Sequence, residues 1–458
     1  MSGRMFRDIE GSMRGLKQPS KSALRVAACA FALVVVTATL SPGRVSAEPR
    51  FVKGPYLMDA RPDSVAVLFE LDAPAPAVVV VRERSGAERR FEAGATTWHE
   101  IVLRGLEPAT RHTYDVLLGG GRGRARGRFT TAPLPGTTDA ARFLVYGDAR
   151  TDAAAHQRIV RRMRDEDADF VLHTGDMLAD GSDPADWQEY FDVSGPLYAE
   201  LPVFPTLGNH EAASGEGMAP YRRFVRTRES PGDEAFYAFD HGPVRVLVLD
   251  SNQPLEEGSP QLTWLEGEVA RARMPGAPAH LFAAVHHGPY SSGAHGSNLR
   301  IQGTRAEALL RAAGVELVFE GHDHAFERGD ARGLKYLLSG GAGAPLYVTN
   351  RRLPSQLAFE PAHHYVRVEI DGPDVRITAI RKDGSVLDAC GFTKGGPWRC
   401  STGPGGGRGR VVRMRLGLIE ALRRFWPQFL AVIVVGLVVA LGIRRAAAAR
   451  RNAAQRRS

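Results

Sequence analysis

The sequence predicts an α/β protein in three parts. A layered α/β region spans residues 140–400, a small all-β sandwich over residues 48–134 precedes it, and a membrane-crossing helix over residues 425–443 follows. Three observations carry this. Between Tyr146 and Arg328, several short apolar runs each lead into polar residues beside a glycine or a tight turn. Continuous runs of β-branched and aromatic residues read as buried strands, and in α/β sheets ligands collect at strand ends. Residues 51–132 instead hold short strand-like stretches, two of them alternating apolar and polar, between Gly, Pro and Asp turns, the spacing of a small sandwich. Phe425 to Ile443 is apolar apart from Gln428, long enough to span a bilayer, and followed by Arg444 and Arg445.

In chain order, residues 1–25 are polar and basic. Val26 to Leu40 is apolar but short, Ser41-Pro42-Gly43 breaks it, and Val45-Ser46-Ala47 offers small residues at a cleavage position. The expectation is a secretory signal peptide over residues 1–47, with an uncleaved anchor as the alternative. In the all-β region, strands are expected at Ser64–Phe69, Ala77–Val81, His99–Leu103 and His112–Leu117, with a linker at Pro133–Thr138. A helix is expected over Ala153–Arg164, followed by a strand at Phe170–Leu172, an order that favours parallel pairing. Further strands are expected at Pro202–Leu207 and Val244–Leu249, a helix at Gln261–Ala270, and a terminal hairpin from Val366–Ile370 and Val375–Ile380. Trp187, Tyr190 and Phe191 read as core. Leu338 to Gly343 lacks the lysine and helix context of a phosphate-cradling loop and reads as a close-packed turn. His363 and His364 read as structural. Residues 401–424 form a Gly-rich linker and a basic juxtamembrane segment, and residues 444–458 a basic cytoplasmic tail.

The net charge of +8 suggests a nucleic-acid partner, but its distribution excludes that reading. Residues 1–25 hold six Lys/Arg and two acids, and residues 408–458 hold twelve Arg and one Glu. The body between them carries 41 basic and 48 acidic residues, a net of −7. Basic residues beside apolar runs mark a membrane surface. Cys29 lies in the expected signal peptide. Cys390 and Cys400 remain as a pair, and in an exported protein they are expected to form a disulfide.

The strand-end stretches are Gly147-Asp148-Ala149-Arg150, Gly175-Asp176, Gly208-Asn209-His210-Glu211, Val285-His286-His287 and Gly321-His322-Asp323-His324. Any one alone is weak: a lone Gly-Asp is usually a turn, and a lone His-x-His often a surface pair. Together they supply carboxylate, imidazole and amide oxygen, the mixture that holds two cations a few ångströms apart through a shared anionic oxygen. Such ions clamp a phosphate and lower the pKa of a water that attacks phosphorus.

These stretches resemble the calcineurin-like metallophosphoesterase superfamily, specifically its purple-acid-phosphatase-like branch, over residues 51–390. The resemblance implies a four-layer αββα sandwich with metals at the strand C-termini. It implies that Asp148, Asp176 and His324 bind a first metal. Asp176 would bridge to a second, which Asn209, His286 and His322 complete. His210 would assist the leaving oxygen, and His295, nine residues after His286, would contact the phosphate. Lys53-Gly54-Pro55-Tyr56-Leu57 resembles the opening of this branch's N-terminal domain. Gly105 to Thr110 with Tyr114 resembles the turn and tyrosine of fibronectin type III domains. The sequence departs from the family twice. The common Asp-x-His pattern has Arg150 in place of its histidine, and the tyrosinate of purple acid phosphatases is replaced by Ala179. Arg150 is read either as a cation for substrate phosphate or as an ion-pair partner of a nearby carboxylate. His156 as a substitute ligand is the lesser alternative to a place in the helix that follows. Tyr290 to Gly293 is expected to form a pocket wall.

The expected function is therefore an exported, membrane-tethered phosphoesterase with its catalytic region outside and its C-terminus in the cytoplasm. It would hydrolyse phosphomonoesters by attack of a metal-bound hydroxide, using two ions of Fe, Zn or Mn. The alternatives are a phosphodiesterase for nucleotide, lipid or wall phosphates, and a catalytically weak scaffold protein that lacks a first-metal ligand.

Overall fold

The computed structural model describes residues 48–402 apart from 84–85, 120, 122, 138–139, 214–217, 228–234 and 349–350. The expected signal peptide, transmembrane helix and tail lie outside the described residues, as does the expected linker except for residues 401–402, which belong to the strand Arg399–Thr402. Among the described residues no helix is long and apolar enough to cross a membrane.

Five strands come first: β1 (Phe51–Met58), β2 (Ser64–Arg82), β3 (Glu88–Arg104), β4 (Arg111–Leu118) and β5 (Gly123–Thr130). Then follow β6 (Ala140–Tyr146), α1 (Ala153–Met163), β7 (Phe170–His173), α2 (Pro184–Tyr198), β8 (Val203–Pro205), α3 (Asn209–Ala212) and α4 (Met218–Phe224). Next are β9 (Tyr237–His241), β10 (Val244–Leu249), α5 (Pro260–Arg271), β11 (His280–Val285), α6 (Arg305–Ala313), β12 (Leu317–Glu320), β13 (Phe326–Ala331) and β14 (Leu334–Ser339). The last are β15 (Gln356–Glu360), β16 (His364–Asp371), β17 (Asp374–Arg381), β18 (Val386–Thr393) and β19 (Arg399–Thr402).

These strands make two sheets. The first runs β19-β18-β17-β16-β6-β7-β8-β1-β2-β4-β5, with β3 also paired to β2, and the second runs β15-β13-β14-β12-β11-β10-β9. Parallel pairing joins β6 with β7, β7 with β8 and, through one residue pair, β8 with β1 in one sheet, and runs β10-β11-β12-β14 in the other. Apolar side chains from both sheets, among them Phe143, Phe170, Phe282 and Phe319, share one buried cluster between them. Phe143 stacks on Phe170 at 4.8 Å and meets Phe319 edge-on at 5.8 Å. On the outer face of the first sheet, Ile159 and Met163 of α1 and Trp187, Tyr190 and Phe191 of α2 are buried. On the outer face of the second, Leu262 and Leu265 of α5 and Leu309 and Leu310 of α6 are buried. Helices therefore cover two sheets that face each other. The helix after β6 starts where Asp152 accepts a hydrogen bond from the Ala155 N–H at 2.9 Å, an N-cap that satisfies an otherwise unpaired donor.

The all-β region differs from expectation. The strands expected at Ser64–Phe69 and Ala77–Val81 are one strand, β2, whose ladder with β3 shifts register between Glu70 and Ala77. The first half of β2 pairs with β1 and the second with β4. Nor do these strands form a separate sheet, because Met58 of β1 pairs in parallel with Val203 of β8. The Tyr114 hydroxyl, singled out by its resemblance to a fibronectin tyrosine, donates to the Ala199 carbonyl at the end of α2. The expected terminal hairpin is β16 and β17, but it is extended by β18 and β19, which Cys390 and Cys400 join through a disulfide.

Candidate metal centre

The C-terminal ends of the parallel strands from both sheets meet at one place. Each delivers its polar residue through a tight turn. Asp148, Asp176 and His322 have φ of 56°, 53° and 72°, in the left-handed region. Gly175, also left-handed at 94°, leaves no room for a side chain: a Cβ there would stand 2.6 Å from Nδ1 of His286. At Gly208 a Cβ would stand 2.2 Å from the Asp176 nitrogen.

All nine residues singled out in the sequence lie at this meeting point. One ligand atom each from Asp148, Asp176 and His286 lies within 4.8 Å of the others, and the same holds for His286, His287 and His322. The Nδ1 of His286 donates to the Thr174 carbonyl at 2.8 Å, leaving Nε2 to face Asn209 Oδ1 at 3.1 Å and Asp176 Oδ1 at 3.2 Å. His324 is fixed the same way, with Nδ1 donating to the Pro345 carbonyl at 2.7 Å and Nε2 lying 3.6 Å from Asp148 Oδ1. Such carbonyl partners set the tautomer of metal-binding imidazoles. His210 lies across the site, with Nδ1 on the Ala179 carbonyl at 2.5 Å and Nε2 3.7 Å from Asp176 Oδ2. His295 sits further out, its ring 4.3 Å from that of His322 and its N–H held by Asp323 at 2.9 Å. Arg150 reaches inward: Nη2 is 3.2 Å from His324 Nε2, and Nε is 3.7 Å from Asp176 Oδ2.

Burial and mutual charge set the protonation states. Burial opposes the charge on His286, yet the Asp176 carboxylate 3.2 Å away pushes its pKa up to about 10. Asp176 is held well below the usual carboxylate range by the same pairing, against burial. Burial raises Asp148 well above that range, with His286 lowering it and Asp176 raising it further. Burial and the His286 charge pull His322 down to about 2, and burial pulls His324 down to about 4. Neutral imidazoles are the form that binds a metal. The proton on His286 lies between two oxygen acceptors, where a cation would replace it.

Two sets of residues can be tested for fit. Asp176 and Asn209 bring a carboxylate and an amide oxygen to His286 Nε2, and His322 stands within 4.8 Å of His286, together a donor set that suits Zn, Fe or Mn. This set fits. The set expected for a first metal fits less well: Ala179 and Arg150 add no ligand to Asp148, Asp176 and His324, and Arg150 Nη2 stands 3.2 Å from His324 Nε2. His156 does not supply one: it is buried in α1, 3.5 Å from the Tyr146 hydroxyl and stacked on Tyr190.

Glu211 and His287 stand in the strand-end stretches, and Ser251 beyond them, but the sequence assigns none of the three a role. The carboxylate of Glu211 accepts the N–H groups of Gly208 at 2.9 Å, Asp176 at 3.1 Å and Met177 at 2.8 Å, so it holds two ligand loops together. His287 Nδ1 meets the Ser251 hydroxyl at 2.7 Å, and its ring lies 4.1 Å from that of His322. Ser251 follows the strand Val244–Leu249, the same polar-after-apolar signal as the other stretches. A cavity of about 400 Å³ opens beside the centre, lined by Asn209, His287, His295, Asn252, Asn298 and Arg300 among others.

Residues 141–326 match the model of the calcineurin-like phosphoesterase family. They form a calcineurin-like phosphoesterase domain. Relatives of this phosphoesterase domain include purple acid phosphatase 21 of Arabidopsis thaliana, 29% identical over 241 residues, covering 50% of this chain and 53% of the relative. Acid phosphatase type 7 of Mus musculus is 25% identical over 338 residues, covering 63% and 75%. The chain spans about half the length of the plant relatives it matches. Among solved structures, the purple acid phosphatase from yellow lupin seeds superposes with a TM-score of 0.65 at 18% identity, over 75% of this chain and 74% of that one. PhoD superposes with a TM-score of 0.62 at 13% identity, over 78% and 92%. At these identities the two structures speak for the fold of the phosphoesterase domain.

Proposed function

We propose that this chain hydrolyses phosphomonoesters in a metal-dependent reaction at the strand-end centre. The observation that carries the reading is the convergence of Asp176 Oδ1 and Asn209 Oδ1 on His286 Nε2, at 3.2 Å and 3.1 Å, beside a polar cavity. A divalent ion bound there supplies Lewis acidity and lowers the pKa of a water. The side chains of the chain do the rest. Asp176, Asn209, His286 and His322 hold the ion. Arg150 and His295 reach the phosphate oxygens, and guanidinium matches them in a bidentate way. His210, pinned through Nδ1, turns Nε2 toward the oxygen that leaves. The relatives named acid phosphatases favour a phosphomonoester, and Arg300 at the cavity mouth suits an anionic substrate.

The full-length chain, purified and given p-nitrophenyl phosphate and bis(p-nitrophenyl) phosphate, tests this. The monoester should be the faster substrate, and a chelator should stop the reaction. Asp176→Asn keeps the backbone conformation but removes the charge, and it should lower kcat at least about a hundredfold, in the range expected for loss of a group that stabilises transition-state charge. Near-normal turnover of that variant refutes the assignment, and a faster diester reaction replaces the monoester with a phosphodiester.

Export and a membrane tether belong to the same reading. They are supported by the apolar runs 26–40 and 425–443, by the arginines that follow the second, and by a disulfide of the kind that persists in oxidising compartments. Membrane fractionation with protease applied from outside the cell tests both: the phosphoesterase domain should sediment with membranes and be cleaved.

A further inference from the structure

We infer that Arg150 stands where a first metal ion would, so that this centre works with one exchangeable ion and one fixed guanidinium. The inference rests on the phosphoesterase reading and specifies its metal content.

His324 is already engaged. Its Nδ1 proton is committed to the Pro345 carbonyl at 2.7 Å, so the ring has one lone pair left, on Nε2. Arg150 Nη2 lies 3.2 Å from that nitrogen and donates to it. A metal needs the same lone pair at about 2.0–2.1 Å, and the guanidinium already occupies its direction. The Nε of Arg150 lies on the Asp176 side, 3.7 Å from Oδ2 and without a hydrogen-bond partner. Arg150 is only 16% exposed in its side chain, so it is part of the centre and not a surface group that swings across it. With His324 engaged, a first ion would be left with Asp148 and the shared Asp176, fewer than the three protein ligands that catalytic metal sites keep.

The other side of the position offers nothing to compensate. Ala179 ends in a methyl group. A cavity of about 90 Å³ has Ala179 in its wall, together with Ala149, Arg150, Met177, His156 and Tyr190. The second set is undisturbed: the contacts of Asp176 Oδ1, Asn209 and His286 do not involve Arg150.

A guanidinium in this place has definite chemistry. Its charge is permanent at every accessible pH, and a chelator cannot remove it. It holds a phosphate oxygen through paired N–H groups. It does not acidify a water, so that task falls to the one remaining ion.

Metal stoichiometry decides the matter without reference to turnover. The metal-stripped full-length chain is dialysed against Zn²⁺, and in parallel Mn²⁺, and the bound ion is measured per chain. Wild type should saturate at about one ion, and Arg150→His, which restores Asp-x-His, at about two. Thermal unfolding checks that the variant is folded; if it is not, the double variant Arg150→Ala with Ala179→Tyr takes its place, with the same expectation of two. A wild type that takes up two ions overturns the inference and leaves the phosphoesterase reading intact. So does a folded variant that still binds one. A wild type that binds none overturns the phosphoesterase reading itself.

Discussion

Asp148, Asp176 and His322 are held in left-handed backbone conformations that cost a non-glycine residue about 1–2 kcal/mol each. Such strain persists only where the surroundings over-determine it. Here Glu211 does much of that work. Its carboxylate is fully buried and accepts three well-placed N–H groups from the Asp176 and Asn209 loops, while burial and the Asp176 charge push its pKa up to about 7. Glu211→Ala would leave those donors buried and unpaired, at about 1–3 kcal/mol each. Denaturant unfolding should show a loss above about 3 kcal/mol. Glu211→Gln keeps the shape but turns one acceptor into a donor, and should fold with weakened Zn²⁺ affinity. Wild-type affinity and stability in both variants would remove Glu211 from the centre. The residues that meet at the strand ends were legible, because a metal site would need these residue types and each followed an apolar run. Glu211 was not: its role depends on contact with a loop far away in the chain, and a glutamate in a helix has no distinguishing signal.

At the scale of elements, continuous apolar runs announced the parallel strands, since residues buried on both faces leave no alternation. Thus β10 falls where Val244 to Leu249 predicts it, and α5 within a residue of its expected ends. The break between Phe69 and Ala77 was misread because Asp72, Pro74 and Pro76 look like a turn, whereas the strand absorbs them as an irregularity in its ladder. The same hairpin region carries a pH-dependent element. Asp115 on β4 is 1% exposed and accepts from Arg124 at 2.8 Å, Arg126 at 3.0 Å and also Arg82. Burial raises its pKa, but the three guanidinium groups outweigh that and hold it below the usual range. A depressed pKa stabilises the fold above the unfolded value of about 3.9 and loses that contribution as pH falls toward the folded value. Asp115→Asn should therefore lower the unfolding free energy at pH 7 by about 1–3 kcal/mol, with the gap to wild type closing below about pH 4. A gap that stayed constant from pH 7 to pH 3 would show that shape, not charge, is what Asp115 supplies. The disulfide between β18 and β19 closes a short loop across a sequence separation of 10. Cys400→Ala should cost about 3 kcal/mol or less by loop-closure entropy, read as a lower thermal midpoint.

On the scale of the molecule, the all-β strands and the phosphoesterase domain share a core, which linear sequence could not reveal because the shared contacts join residues more than a hundred positions apart. Tyr56, Met58, Ala66 and Leu68 from β1 and β2 lie in the same buried cluster as Trp187, Tyr190 and Phe191 of α2 and Phe224 of α4. Tyr56 stacks obliquely on Phe191 at 4.7 Å, and its hydroxyl donates to the Phe224 carbonyl at 2.6 Å. Gln188 donates to the Val52 carbonyl at 2.7 Å, and Arg226 pairs with Glu100 at 2.5 Å. A domain joined only by a linker would keep its own apolar surface covered and would unfold on its own. Here removal of residues 48–134 would uncover the outer face of α2 and leave β8 as an unpaired, apolar sheet edge, a template for aggregation. The shortened chain should aggregate or fail to fold, and the intact chain should unfold in a single transition with coincident near-UV and far-UV circular dichroism curves. A soluble, active fragment starting at residue 135, or an early separate transition lost on deleting the strands, would show instead that the two parts fold independently. The candidate metal centre lies at the ends of β6, β7 and β8, and β8 is the strand that β1 borders. Loosening β1 should therefore reach Asn209: a Tyr56→Ala variant is expected to bind Zn²⁺ more weakly than wild type although Tyr56 touches no ligand. Unchanged Zn²⁺ affinity in a Tyr56→Ala chain that has lost stability would confine the N-terminal strands to a purely mechanical role.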